Sequence, residues 1–462
     1  MPSSVHLIEV DLPDFGSPTE RPELPPALYG ERLSRLAERI RQSGLTVAVV
    51  YGDREHFANL SYLSGFDPRF EEALLVFTPG HTPVLITGPE NQGSAKMAPG
   101  GLDVRLYPPF GLLGQDRSRT RALRDVLYDA GIGAGAKVGV IGWKYFSRAE
   151  SGEPDNWIDI PSYLADAIRS IAVEAVNATA LLMAPSSGLR ALNEIDQLAQ
   201  FEFAATHASE AVKRAVFSLT PGMREYDAAR TMQLTGVPLS AHLMLSAGPR
   251  AFLGLGSPSG RIIGKGEPFT VACGLWGGLT CRAGFVAASE DDLDEAIRDY
   301  VDELTAPYFA CAAEWYETIG IGVTGGEIDA LVKRRLGAKF FNIFLNPGHL
   351  IHLDEWLSTP IYPGSTEKLQ SGQAIQLDII PATGTPYFTS NIEDGIALLD
   401  EAGRAAFAER YPGAWRRIEG RRAFMADVLG IRLKPEVLPF SNIAGYLPPF
   451  LLSPRRVLAR RR

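Results

Sequence analysis

Cysteine is scarce in this chain: Cys273, Cys281 and Cys311 are the only three in 462 residues. An odd number without paired spacing excludes a disulfide framework, and a reducing cytoplasm is the expected compartment. Cys273 and Cys281 lie in apolar, strand-like surroundings and read as packing residues. Long hydrophobic runs are also missing: none reaches the ~18 residues that cross a bilayer. The opening MPSSVHLIEVDLPDFG has neither the basic start nor the apolar core of a secretory signal. An excess of basic residues is lacking too. The net charge of −9 argues against nucleic-acid and acidic-membrane partners and fits a soluble enzyme.

What is present is an ordinary globular composition, 45% hydrophobic and 21% charged, in a chain long enough for two cores. An irregular leader occupies residues 1–27. Residues 28–187 then alternate helix and strand: a helix over 29–43, buried strands at 46–51, 73–77 and 83–88, and two further alternations. That rhythm predicts a small α/β domain. Residues 188–425 change character. Long helical patterns at 193–217, 226–235, 291–319 and 326–336 surround strand-rich segments at 242–286, 375–380 and 395–399, which predicts an α+β domain with an antiparallel sheet. Residues 426–462 are Pro-rich, read as an ordered extension, and are a candidate cover for a pocket. The terminal Arg455, Arg456, Arg460, Arg461 and Arg462 read as a solvated tail.

Gly320, Gly322 and Gly325 form a literal G-x-G-x-x-G. A dinucleotide fingerprint needs a strand before it, and here a helical pattern precedes it. The glycines are better read as a helix stop, with Thr324 capping the next helix.

The polar residues that stand out are His349 and His352 in NPGHLIHLDEWLSTP, Asp378 in QLDIIP, and Glu393 and Asp394 in NIEDG. A histidine in one strand and carboxylates in two later ones can converge on one face of a sheet. Several segments, in order, resemble the creatinase/prolidase/aminopeptidase P superfamily. They are N-L-x-Y-L-x-G-F from Asn59, LNEIDQLAQFEFAATHASEAV from Leu192, and TPGMREYD from Thr220. The resemblance covers roughly residues 28–402. It implies a creatinase-type N-terminal domain followed by a pita-bread domain, α+β in class, and a homodimer.

In that superfamily the peptidases hold two divalent ions with two Asp, one His and two Glu. The resemblance maps the His to His349 and the two later acids to Asp378 and Glu393. It puts Ala272 of VACG at the first aspartate, Arg282 of GLTCR at the second, and Leu255 of GLGSPS at the proton-shuttling histidine. Two carboxylates and a guanidinium balance two dications poorly, because like charges at ~4 Å repel by roughly 4 kcal/mol at an effective dielectric of 20. A degenerate site is therefore expected. It would have no metal cofactor, or at most a single divalent ion on His349, Asp378 and Glu393, with Arg282 paired to Asp378 or Glu393 as the alternative counter-charge.

Creatinase shows that metal-free C–N hydrolysis belongs to the same superfamily. On that pattern His349, His352, Asp378 and Glu393 are the candidate catalytic residues. Arg69 and Arg282 would bind substrate anions, and His242, Trp276, Asp354 and Glu355 are further substrate-binding candidates. Trp276 and the glycines around it are compatible with close approach either of a ligand or of backbone. The reading with a reduced metal site, an Xaa-Pro-type metallopeptidase, and a non-catalytic binding protein stand as alternatives.

Overall fold

The computed structural model describes residues 5–252 and 254–461. The chain separates into two compact units, residues 24–191 and residues 1–23 with 192–462. The division between the units falls at Ala191 and Leu192, whereas the sequence reading places the change at residue 188. The leader and the C-terminal extension, in contrast, are both part of the larger unit. Strand β1 (Val5–Glu9) pairs antiparallel with the last strand, β15 (Arg456–Arg460). Three of the terminal arginines form ion pairs, Arg455 with Asp11, Arg456 with Glu290 and Arg460 with Glu317, while Arg462 lies outside the described residues.

The smaller unit carries six strands: β2 (Val47–Gly52), β3 (Ala73–Phe77), β4 (Val84–Thr87), β5 (Asp103–Leu106), β6 (Lys137–Ile141) and β7 (Glu174–Asn177). Their order is β5-β4-β3-β2-β6-β7, with β2 antiparallel to β3 and parallel to β6. Strands β2, β3 and β4 are buried throughout, as their unbroken apolar runs require. The helix Pro26–Gln42 starts on a proline and buries Leu28, Tyr29, Leu33, Leu36 and Ile40, the spacing of a single apolar stripe.

The larger unit is built on β8 (Met244–Ala247), β9 (Pro268–Leu275), β10 (Gly278–Phe285), β11 (His349–Leu350), β12 (Ala374–Leu377), β13 (Asn391–Leu398) and β14 (Val437–Pro439). They form an antiparallel sheet in the order β11-β12-β13-β10-β9-β8, with β14 also paired to β13. The helix Ile195–Phe217 packs along β9 and β10. Gly277, at φ +100°, and Gly278 turn the β9–β10 hairpin directly beneath it. A Cβ at Gly277 would lie 2.1 Å from Phe201, and one at Gly278 would lie 2.6 Å from the Ala205 backbone. The glycines around Trp276 thus serve helix–sheet contact, and Trp276 itself is buried at the turn.

The Gly320–Gly325 segment follows the helix Ala306–Thr318 and precedes the helix Gly325–Leu336. Thr324 and Glu327 form a reciprocal capping box at the second helix, which is the helix stop and start expected from the sequence. The continuous helix expected over 291–319 is shorter than that. Ser289 and Asp294 cap short 3-10 turns, and regular α-helix begins only at Ala306, just before Pro307.

Candidate active site on the inner face of the large sheet

The hairpin register decides which side chains share a face. Glu393 on β13 lies opposite Cys281 on β10, Cys281 opposite Ala272 on β9, and Ala272 opposite Met244 on β8. These four form one row on one face of the sheet. Asp378 comes one residue beyond the pair Leu377–Asp394, so it emerges on that same face, alongside Glu393. His349 pairs with Gln376 in the neighbouring row. The preceding Gly348, at φ +133°, lets the chain enter this strand. A Cβ there would sit 2.9 Å from the Gln376 carbonyl and 3.3 Å from Trp315.

The outcome is one cluster: ligand-capable atoms of His349, Asp378 and Glu393 lie within 4.8 Å of one another. The Nε2 of His349 and Oδ1 of Asp378 are buried and have no hydrogen-bond partner. Burial lowers His349 to about 4, against the weaker opposing pull of its bond to the Leu350 carbonyl, so its imidazole is neutral at physiological pH. Burial raises Asp378 to about 7. Glu355 is also raised to about 7, by burial first and then by the Asp378 charge. Glu393 is pushed well above the ordinary range by burial, then by Asp378, Glu355 and Asp394. No basic side chain contributes to the shifts of these three acids. Left alone, the cluster holds protons; with a cation it would release them.

Arg282 is the main correction to the sequence reading. It neighbours Cys281 along β10 and therefore projects from the opposite face. There it is 1% exposed and pairs with Asp394 at 2.7 Å. It also donates to the carbonyls of Tyr446, Ile443 and Cys281. It does not pair with Asp378 or Glu393 and adds no positive charge to their face. Cys281 is the residue that stands across from Ala272 and Glu393. The Pro-rich extension closes this opposite face, through residues 443–446 on Arg282 and Phe450 bridging to Phe285, and so does not cover the cluster.

The other candidates fall apart spatially. His352 is fully buried, accepts the Leu353 N–H on Nδ1, and sets its ring edge-on to Phe201 with centroids 5.1 Å apart. It belongs to a turn beside the core helix and not to the cluster. His242 is exposed, with its Nε2 against the Leu255 carbonyl at 2.8 Å. Asp354 is half-buried, and its carbonyl accepts the His352 N–H. Arg69 belongs to the smaller unit, where it lies over the Phe57 ring at 5.2 Å. Two residues on the cluster face were not picked out from sequence. Gln376 reaches across to the Leu279 carbonyl at 2.6 Å. Asn391, two residues before Glu393 on β13, is 3% exposed and has an unpartnered Oδ1.

Comparison with known proteins agrees with this architecture. Residues 32–176 match the creatinase/prolidase N-terminal domain. The prolidase from Pyrococcus horikoshii OT3 superposes with a TM-score of 0.61 at 16% identity, over 80% of this chain and 95% of that one. The Xaa-Pro dipeptidase from Bacillus anthracis gives 0.60 at 16% identity, over 81% and 96%. The dipeptidase PepE from Mycobacterium ulcerans gives 0.58 at 21% identity, over 82% and 95%. No curated protein sequence matches the chain. The chain therefore has the two-domain fold of the creatinase/prolidase superfamily, a creatinase-type N-terminal domain joined to a pita-bread domain. Among the described residues no helix is long and apolar enough to cross a membrane.

Proposed function

We propose that this protein is a hydrolase of a C–N bond in a small carboxylate-bearing substrate, working at the His349–Asp378–Glu393 cluster with one divalent cation. The observation that carries the reading is the cluster itself: three donors within 4.8 Å, two of them with orphaned atoms, beside a third carboxylate and no basic partner. That donor set, one neutral imidazole and two carboxylates, fits a catalytic ion with open positions. Two ions fit poorly, because Ala272, across the hairpin from Cys281, offers no donor.

A cation held there would polarise the scissile carbonyl and acidify a water. Glu355, half-buried beside Asp378 and titrating near neutrality, suits the transfer of a proton to the leaving nitrogen. The known prolidases, Xaa-Pro dipeptidase and dipeptidase with this fold support peptide-like C–N bonds as the class. On the same resemblance, Arg69 is the candidate for the substrate carboxylate and the assembly is a homodimer; the scarcity of cysteine supports a cytoplasmic compartment.

A second reading rests on the same uncompensated acids. A cationic guanidino or amino nitrogen of the substrate could neutralise them without any metal, as in creatinase. Elemental analysis of protein purified without chelator, with calorimetric titration of zinc, manganese and cobalt, separates the two. One ion per chain, lost in Asp378→Asn and Glu393→Gln, supports the mononuclear reading. Failure of all three ions to bind would refute it and leave the metal-free hydrolase, to be sought among carboxylated guanidino and amide compounds.

A further inference from the structure

We infer that Cys281 is a thiolate ligand of the ion at this site, which makes the site selective for a thiophilic dication such as zinc over magnesium, calcium or manganese. The inference rests on the mononuclear reading above and goes beyond it by assigning a fourth ligand and a class of metal.

Position is the first argument. Cys281 is the direct cross-strand partner of Glu393, on the cluster face. Side chains so paired have Cβ atoms about 5 Å apart. Zinc binds sulfur at about 2.3 Å and carboxylate oxygen at about 2.0–2.2 Å, so a shared ion suits that spacing. The Sγ is free of any disulfide. It lies outside the set of atoms within 4.8 Å of one another, so coordination requires the thiol to move toward Glu393.

The surroundings are the second argument. Along this row the next residues are Ala272 and Met244, and Ala283 follows Cys281 on the same face of β10. None of them supplies a hard donor, so among these paired strand residues Cys281 alone is ionisable beside Glu393. Asn391, paired with Ala283, independently points to a ligand here. Its amide oxygen is buried on the same face without a partner, and buried polar atoms are rarely left so unless something else satisfies them. Coordination breaks the S–H bond, releases the proton to solvent and gives the sulfur electron pair to the cation; nothing is oxidised or reduced. Soft sulfur then discriminates among dications by affinity.

The test uses cadmium and cobalt(II) added to the metal-free full-length protein, read as a sulfur-to-metal charge-transfer band in the ultraviolet. The wild type should develop the band to saturation at one ion per chain. Cys281→Ser should lose it and weaken zinc by at least about tenfold, the loss caused even by outer partners of a metal, while manganese binding changes little. Cys273→Ser, on the opposite face, should keep the band. Cys281→Asp guards against a folding defect, because it should still bind the ion yet show no band. Binding of one ion without a band, or a band that survives in Cys281→Ser, overturns the thiolate assignment alone. Failure of every ion to bind overturns the mononuclear reading and this inference with it.

Discussion

Replacing Arg282 by methionine separates a structural arginine from a substrate-binding one. Arg282 is enclosed between β10, β13 and the C-terminal segment, with Asp394 as its ion-pair partner. Methionine keeps much of the volume and removes the charge. Asp394 would then retain the Gly445 N–H at 3.2 Å and a long contact from Tyr316 Oη at 3.5 Å. The carbonyls of Tyr446, Ile443 and Cys281 would lose the guanidinium as donor. Breaking a buried ion pair from one side costs about 3–5 kcal/mol. Against a typical total of about 5–15 kcal/mol, this is a large fraction of the stability of the unit.

Urea unfolding followed by tryptophan fluorescence reads this directly. With a slope of about 3 kcal/mol/M, the midpoint should fall by roughly 1 M or more. Arg282→Met/Asp394→Leu should recover much of the loss, because it removes both charges together. Calorimetric titration of zinc into Arg282→Met under native conditions should match the wild type, since the guanidinium faces away from the cluster. A variant as stable as the wild type that has lost ion or substrate binding would refute the placement and return Arg282 to the pocket.

Three further outcomes follow from particular contacts. Asp378 is raised from 3.8 to about 7 in the fold, so the folded state binds its proton more tightly than the unfolded chain does. That stabilisation is complete below the unfolded value and disappears as pH rises through about 7. Metal-free protein should therefore lose about 2 kcal/mol between pH 5 and pH 8, a loss that Asp378→Asn flattens and added zinc offsets; equal stability at both pH values would contradict the crowding of the acids. Gly277→Ala should lower the melting temperature of the larger unit, because its Cβ would meet Phe201 at 2.1 Å from a positive-φ backbone; a cost above about 2 kcal/mol is expected for such overpacking. Thr324→Ala removes the N-cap of the helix Gly325–Leu336 and should cost about 1 kcal/mol in chemical denaturation, with no effect on ion binding.

The layout of the fold was legible because its signals are local. Ala73–Phe77 is an apolar run followed by the turn residues Thr78-Pro79-Gly80, and its strand bounds match the sequence reading. Thr324 and Glu327 announce a helix start by spacing alone. The ends of the chain were harder. Nothing in β1 says that it will pair with β15, since the partners are more than 440 residues apart and neither run is long. Asp378, Glu393 and His349 were legible as a set because each sits in or beside a strand, and pairing brings the three side chains together. Their electrostatic setting was not, because it depends on which of two neighbouring residues, Cys281 or Arg282, shares their face.

That choice turns on a single step in register. In a strand the side-chain period is two, so moving an assignment by one residue moves it to the other side of the sheet. Aligning GLTCR by motif put Arg282 opposite Ala272 and a positive charge among the acids. The hairpin itself gives a different answer. Leu275 pairs with Gly278, leaving only Trp276 and Gly277 in the turn, and counting outward brings Ala272 to Cys281. Gly277, whose positive φ this tight turn uses, was visible in the sequence, and two-residue turns fix register. With Arg282 turned to the far face, the pocket changes from nearly self-neutralised to strongly acidic. Its acids are then carboxyl groups without a basic partner in a desolvated site, holding protons that a cation, either a metal ion or a substrate nitrogen, displaces on binding.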